Sequence, residues 1–145
     1  TARRAGADET VGVAGFRDSV AALTSRRGVD IVVDPVGGSR FTDSLRSLAP
    51  EGRMLVIGFT EGDIPTVKVN RLLLNNISVV GVGWGAYWFS QPEYLAEQWQ
   101  ELLPLLRQGQ LSPLIGSVHP LTDVSTALAE LDDRRALGKV LLSLR

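Results

Sequence analysis

A short apolar run that ends in glycine lies in the first third of the chain: Gly28-Val29-Asp30-Ile31-Val32-Val33-Asp34-Pro35-Val36-Gly37-Gly38. A second run of the same kind follows after a gap of helical length: Arg53-Met54-Leu55-Val56-Ile57-Gly58-Phe59. β-branched blocks of this length are typical of strands that are buried on both faces of a parallel sheet. We therefore predict that both runs form central strands.

A helix is predicted between the two runs, over Arg40–Leu48, with Ser39 as its cap and Pro50-Glu51-Gly52 as its stop. Its apolar residues recur at helical spacing: Phe41, Leu45 and Leu48. The resulting strand-helix-strand unit indicates an α/β fold, a doubly wound and mostly parallel sheet. In open sheets of this kind ligands bind beyond the carboxyl ends of the strands. The first candidates for a site are therefore Val36-Gly37-Gly38 and Ile57-Gly58-Phe59.

Composition narrows the class of protein. The chain has 145 residues, of which 44% are hydrophobic and 21% charged, with a formal net charge of -1. No basic run is present, which argues against nucleic acid and against an anionic membrane as partners. Zero cysteines and one histidine, His119, cannot build a metal site of the usual kind. No signal peptide or membrane span is visible, so the predicted location is the cytoplasm.

The remaining elements are predicted from periodicity and end signals. Gly6 ends a helical turn, and Ser90 with Glu93 forms a capping-box pattern that opens a helix reaching Leu106. The other predicted helices are Phe16–Arg27 and Thr122–Arg135, and Val67–Leu74 is a short apolar stretch. The other predicted strands are Glu9–Val13, Ile77–Val82, Leu114–Val118 and Lys139–Leu144.

The residues Gly81-Val82-Gly83-Trp84-Gly85-Ala86 satisfy the G-x-G-x-x-G/A fingerprint of dinucleotide-binding folds and follow a predicted strand. Their context disagrees with that interpretation. The predicted helix begins only near Ser90, after an aromatic loop. The position about 20 residues further on, where an acidic residue should end a strand, falls in or beyond a helix.

The order of several segments resembles the C-terminal half of a zinc-independent quinone oxidoreductase, in the zeta-crystallin-like branch of the medium-chain dehydrogenase/reductase superfamily. The segments that carry the resemblance are Gly6-Ala7-Asp8, Arg27–Gly38, Leu48–Arg53, Ile57-Gly58-Phe59, Asn76–Val82 and Gly138-Lys139-Val140. The resemblance covers essentially the whole chain.

This resemblance implies a partial Rossmann domain. Strands 3, 4, 5 and 6 of a six-stranded sheet of order 3-2-1-4-5-6 would be Glu9–Val13, Asp30–Val36, Arg53–Phe59 and Ile77–Val82. Strands 1 and 2, the Gly-rich phosphate loop and the GroES-like catalytic domain would be absent, so the chain would be a C-terminal fragment and strand 4 would have a bare edge. Residues 1–113 would belong to the nucleotide-binding domain. Residues 114–145 would pack toward the catalytic domain.

The resemblance also implies cofactor contacts, with NADPH or NADH as the cofactor and hydride transfer as the reaction. Val36 and Gly37 would pack on the ribose, although a glycine there is equally explained by a turn. Lys139 would reach the pyrophosphate, or is simply a solvated lysine. The backbone of six residues would bind the nicotinamide carboxamide: Ile57, Gly58, Phe59, Val82, Gly83 and Trp84.

A quinone or enone would be the substrate, and Ile77–Val82 would join two subunits of a homodimer. No catalytic acid or base is visible. Trp84, Tyr87, Trp88 and Phe89 are interpreted as an interface or as the wall of a quinone pocket. His119 has no acidic or serine partner at a recognisable spacing and is interpreted as structural. A hypothesis from another class is a non-enzymatic Rossmann-like module for dimerisation or interaction.

Overall fold

The computed structural model describes residues 1–144. These residues form two compact units, one of residues 11–92 and one of residues 1–10 with residues 93–145, in which residue 145 lies outside the described part. Each unit is described by itself. None of the helices formed by the described residues combines the length and the apolar character needed to cross a bilayer.

The 11–92 unit alternates helices and strands. Its elements in chain order are α1 (Phe16–Leu23), β1 (Val29–Asp34), a 3₁₀ turn (Gly38–Arg40), α2 (Phe41–Arg46), β2 (Leu48–Val56), α3 (Asn70–Asn75), β3 (Ser78–Gly81) and α4 (Trp84–Phe89). The three strands form one sheet of order β1-β2-β3, and both pairings are parallel. The predicted α/β class and the predicted order of these strands are confirmed.

One face of this sheet carries the core. Met54, in the middle of β2, has 0% of its surface exposed. It forms a buried cluster with Phe41 and Leu45, four residues apart on α2, and with Ile77. Val32, Val56, Val79 and Leu72 pack against this cluster. Alternating residues of all three strands therefore meet the helix layer, as the two-residue period of a strand requires.

The prediction that the strands are buried on both faces is wrong for β1. Ile31 and Val33 are 53% and 57% exposed, and Val80 on β3 is 38% exposed. An apolar run records that its side chains favour burial, but a face is buried only where a second layer covers it. Within this unit α2 and α3 supply that layer on one face.

Among the described strands β1 pairs with β2 alone, so it has the bare edge predicted for strand 4 and is not a central strand. Two predicted boundaries near β1 are wrong. Glu9–Val13 forms no strand, because a strand forms only where a partner completes its ladder. The helix α1 ends at Leu23, since Ser25 and Arg26 adopt positive φ angles of 51° and 65°, outside the helical region.

The residues predicted to cap and to end the helix α2 have other roles in the structure. Ser39 makes no cap hydrogen bond to the helix. Pro50-Glu51-Gly52 lies inside β2, where the pairing with β1 shifts register and Glu51 has a φ of 65°. Pro50-Glu51-Gly52 is therefore an irregular part of β2 and does not separate α2 from that strand.

The aromatic run predicted as a loop is the helix α4, which begins at Trp84 directly after Gly83. The capping box at Ser90 is also wrong, because the Ser90 hydroxyl donates to the Tyr87 carbonyl at 2.9 Å. The next helix, α5, begins at Tyr94.

The second unit contains a 3₁₀ turn (Ala2–Ala5), α5 (Tyr94–Arg107), β4 (Ile115–Pro120), a 3₁₀ turn (Leu121–Asp123), α6 (Val124–Asp132) and β5 (Lys139–Ser143). β4 and β5 pair in parallel, and α6 packs against both strands with Ala127 buried. Gly6 ends the first turn at a φ of 99°, as predicted.

Candidate functional site

The carboxyl ends of the three parallel strands lie side by side. The register pairs Asp34 of β1 with Val56 of β2, and Val56 with Gly81 of β3. Eight of the nine predicted site residues immediately follow these three ends: Val36, Gly37, Ile57, Gly58, Phe59, Val82, Gly83 and Trp84. The sheet therefore brings these segments to one edge, where open parallel sheets bind ligands.

The chain after β1 is hydrogen-bonded to the chain after β2. The backbone N–H groups of Ile57, Thr60 and Glu61 donate to the carbonyls of Asp34, Pro35 and Val36 at 3.0, 3.1 and 3.1 Å. The N–H of Gly38 donates in the opposite direction, to the carbonyl of Asp63 at 3.2 Å. The two loops thus continue the ladder beyond the strands and hold each other in place.

Asp34 fixes the first turn of this edge. One carboxylate oxygen, Oδ1, accepts hydrogen bonds from the N–H groups of Val36 and Gly37 at 2.9 and 3.0 Å. The residue is buried, and its Oδ2 has no hydrogen-bond partner among the described residues. An unpaired buried acceptor costs free energy. Asp34 therefore stabilises the turn through Oδ1 and carries a cost at Oδ2.

Glycine is required at position 37 for two reasons. Its φ of 68° and ψ of -142° lie in a region that only glycine occupies readily. A Cβ there would stand 2.9 Å from the Phe59 ring and 3.3 Å from the Asp63 carbonyl. The ring of Phe59 therefore packs directly on the Gly37 backbone.

The ends of β2 and β3 present free donors. The N–H of Val82 donates to the Val56 carbonyl at 2.9 Å and closes the ladder. Beyond that bond, the N–H groups of Gly58, Phe59 and Gly83 donate to no acceptor within residues 1–144. Adjacent backbone N–H groups of this kind are suited to an acceptor such as a carboxamide oxygen.

The aromatic helix α4 extends from this edge into solvent. Trp84, Tyr87 and Phe89 are 53%, 51% and 74% exposed. Trp88 stacks on Phe89 with ring centroids 4.3 Å apart and lies 6.2 Å from Trp84 at a tilted angle. These rings form an exposed aromatic surface patch.

The start of α4 at Trp84 also removes one objection to the dinucleotide fingerprint at Gly81–Ala86, namely the late helix. The other objection stands, because the position 20 residues after Gly81 is Glu101, in the middle of α5 and not at a strand end. Lys139, the ninth predicted residue, is exposed at the start of β5 in the other unit.

His119 has an acidic partner in the fold that no recognisable sequence spacing indicates. Its Nε2 lies 2.9 Å from Glu130 Oε2, and the Ser117 hydroxyl donates to the same oxygen at 2.8 Å. The hydrogen bonds from His119 and Ser117 lower the pKa of Glu130 below its ordinary value of 4.5. Both groups point at one carboxylate oxygen, so the arrangement ties β4 to α6 and does not activate the serine as a nucleophile.

The described residues do not supply a zinc site. No group of three or more histidine, cysteine, aspartate or glutamate side chains among residues 1–144 is placed to hold a metal ion. The single histidine is already paired with Glu130.

Comparison with known proteins assigns the family. The model of the zinc-binding dehydrogenase family matches residues 5–142. The chain belongs to this family. It is 42% identical over 130 residues to quinone oxidoreductase-like protein 2 of Rattus norvegicus and 39% identical over 130 residues to that of Bos taurus. Each match covers 90% of this chain and 37% of the relative, so the chain spans little more than a third of these proteins.

Solved structures support the same family assignment. A probable oxidoreductase from Mycobacterium abscessus is 38% identical with a TM-score of 0.79, and the match covers 97% of this chain and 41% of that protein. A mycobacterial protein solved in complex with NADPH is 28% identical with a TM-score of 0.84, over 97% of this chain and 44% of that protein. The predicted resemblance to quinone oxidoreductases of the medium-chain superfamily, and the Rossmann-like fold, are confirmed.

Replacing Gly37 with Ala should destabilise the chain by about 2–4 kcal/mol, the sum of a disfavoured positive φ and an overpacked contact. Gly62→Ala is the matched control, because Gly62 has a φ of 96° but a Cβ there would meet nothing within 4 Å. The control should lose only about 1–2 kcal/mol. Urea unfolding measures both variants, and equal losses would show that the Phe59 contact is unimportant.

Glu130→Gln should remove stability that depends on pH. A carboxyl whose pKa is lowered in the folded state stabilises that state above its unfolded pKa, near 4.5, and this contribution is lost as the pH falls through the lower folded pKa. The unfolding curves of wild type and variant should therefore differ near neutral pH and converge as the pH falls below about 4.5. Glu101→Gln, on the exposed part of α5, is the control. A constant difference at all pH values would contradict the assigned role.

Proposed function

We propose that the chain forms the cofactor-binding part of an NAD(P)H-dependent oxidoreductase that reduces a quinone or enone. The observation that carries this proposal is the row of unpaired N–H groups at Gly58, Phe59 and Gly83, beside the three aligned strand ends. The similarity to a protein solved with NADPH, at a TM-score of 0.84, supports it. So do the quinone oxidoreductase-like relatives.

Each part of the edge has a proposed role. The turn at Val36 and Gly37 contacts the ribose on the nicotinamide side, and the backbone from Ile57 to Phe59 and from Val82 to Trp84 binds the carboxamide. Lys139 is proposed to reach the pyrophosphate. The cofactor, NADPH or NADH, supplies the hydride, and the protein orients the ring and excludes water. No metal takes part, and the cytoplasm is the proposed location.

A second candidate function is a non-enzymatic module for dimerisation or interaction. The observation that favours it is the exposed aromatic surface of α4, since clusters of exposed aromatic side chains mark contact surfaces. The two functions differ in their requirement for a cofactor. Only the oxidoreductase needs the free N–H groups at the strand ends.

Ligand binding tests the first function. On this proposal the ends of β2 and β3 contact only the nicotinamide side of the cofactor. The 145-residue chain should therefore bind NADPH and nicotinamide mononucleotide with similarly weak affinity. A pyrophosphate site with several charged hydrogen bonds of about 1.5–3 kcal/mol each would favour NADPH over the mononucleotide by at least about a hundredfold, and no such preference is expected for these strand ends. The chain alone should not turn over a simple quinone, because hydride transfer needs both reactants held about 3–3.5 Å apart.

Calorimetry with both ligands and an NADPH oxidation assay provide the measurements. No binding of either ligand at millimolar concentration would overturn the oxidoreductase and favour the interaction module. Low-micromolar NADPH binding with a strong preference over the mononucleotide would show that a pyrophosphate site exists in these residues. The fingerprint at Gly81–Ala86 would then be its best candidate.

We also propose a homodimer through the Ile77–Val82 strand. β3 pairs with β2 on one side only. Because the N–H of Val82 donates to β2, the alternation of a parallel ladder directs the N–H of Gly81 to the open edge. A second copy related by a two-fold axis can pair with that edge.

Gly81→Pro should therefore abolish the dimer, since proline removes the outward N–H. Gly81→Ala keeps this donor, and a Cβ there meets nothing within 4 Å, so this control should remain dimeric. Light scattering distinguishes the two states. A dimer that persists in the proline variant would place the interface elsewhere.

A further inference from the structure

The turn at residues 36–39 has all four of its backbone N–H groups occupied by the protein itself. Asp34 Oδ1 accepts from residues 36 and 37, and the Asp63 carbonyl accepts from residue 38. The N–H of residue 39 donates to Glu61 Oε2 at 3.1 Å. The turn lies at the carboxyl end of a parallel strand, where ligands bind in sheets of this kind. Its backbone nevertheless has no N–H group left to donate to a ligand.

The four N–H groups of this turn are directed at acceptors on two neighbouring segments of the chain. Gly37 and Gly38 both have positive φ angles, 68° and 62°. Successive N–H groups in turns of this kind can form a concave site for phosphate or another anion. Here the anions are two carboxylates of the protein, Asp34 on one side and Glu61 on the other.

Glu61 is built into this arrangement at both ends. Its carboxylate accepts from the Ser39 N–H at 3.1 Å and, through Oε1, from the Ser39 hydroxyl at 3.1 Å. Its own N–H donates to the Val36 carbonyl at 3.1 Å. A Cβ at Gly38 would overlap the Glu61 carboxylate, so the side chain lies directly over the glycine.

We propose that Glu61 is a positioning residue that holds this turn for an uncharged sugar and prevents it from binding phosphate. This inference rests on the proposed function. With its N–H groups used by Asp34, Asp63 and Glu61, the turn can offer a ligand only van der Waals contact and carbonyl acceptors, which suit ribose hydroxyl groups. A negatively charged phosphate would meet the two carboxylates and no free donor.

Two probes separate sugar from phosphate recognition: nicotinamide riboside and nicotinamide mononucleotide, which differ by one phosphate. The binding of each to the 145-residue chain is followed by amide chemical shifts in NMR titrations. Glu61→Ala should raise the Kd of the riboside about tenfold, which corresponds to 1.4 kcal/mol. The Kd of the mononucleotide should rise less, because the variant removes one carboxylate and frees the Ser39 N–H, which can then donate to the phosphate. Glu61→Gln, which retains an oxygen acceptor, should recover part of this loss.

Asp63→Ala is the matched control. It removes a charge from the same loop, but only the backbone carbonyl of Asp63 contacts the turn, so the Kd of the riboside should not change. A structural readout accompanies binding: hydrogen exchange at the Ser39 amide should accelerate in Glu61→Ala and not in Asp63→Ala.

The outcomes are distinct. If the wild-type chain binds neither probe, the proposed function falls. If Glu61→Ala binds each probe with the same Kd as the wild type does, Glu61 does not position the turn and this inference is overturned. If Glu61→Ala raises the Kd of both probes by the same factor, Glu61 positions the turn without excluding phosphate, and the proposed exclusion is overturned.

Discussion

The parallel ladder between β1 and β2 is the interaction on which the 11–92 unit depends. It sets Met54 against the helix layer, and it aligns the strand ends at Asp34 and Val56. Its hydrogen bonds continue past the strands, from Ile57 to Asp34 and from Thr60 to Pro35. The candidate site is therefore an extension of the sheet, and its loops take their positions from the same ladder that organises the core.

The strands and their order could be predicted from sequence because β-branched runs that end in glycine give a strong local signal. The prediction that both faces are buried was wrong, since Ile31 and Val33 are exposed in this unit. Local sequence records the preference of a side chain for burial, whereas the layer that buries it lies elsewhere in the chain. For the same reason Glu9–Val13, with a strand-like composition, forms no strand without a partner.

The polar contacts of the site could not be predicted because they join residues that are distant in sequence. Ser39 and Glu61 are 22 residues apart, and His119 and Glu130 are 11 apart, so no spacing pattern connects them. The aromatic run at Trp84 was predicted as a loop, and aromatic residues have only modest helix propensity. The N–H of Tyr87 nevertheless donates to the Gly83 carbonyl at 3.0 Å and starts a helical turn there.

At this edge selectivity depends on which backbone groups are left unpaired. β1 ends in a turn whose N–H groups are used by Asp34, Glu61 and a carbonyl, whereas β2 and β3 end in N–H groups that donate to nothing among the described residues. One end of the row therefore suits hydroxyl groups and the other suits a carbonyl acceptor. A phosphate is disfavoured at the β1 end, where the N–H donors are already used. On the proposed function, the sheet thus orients the cofactor by its sugar and carboxamide, and its phosphates must be bound by residues other than those of the turn.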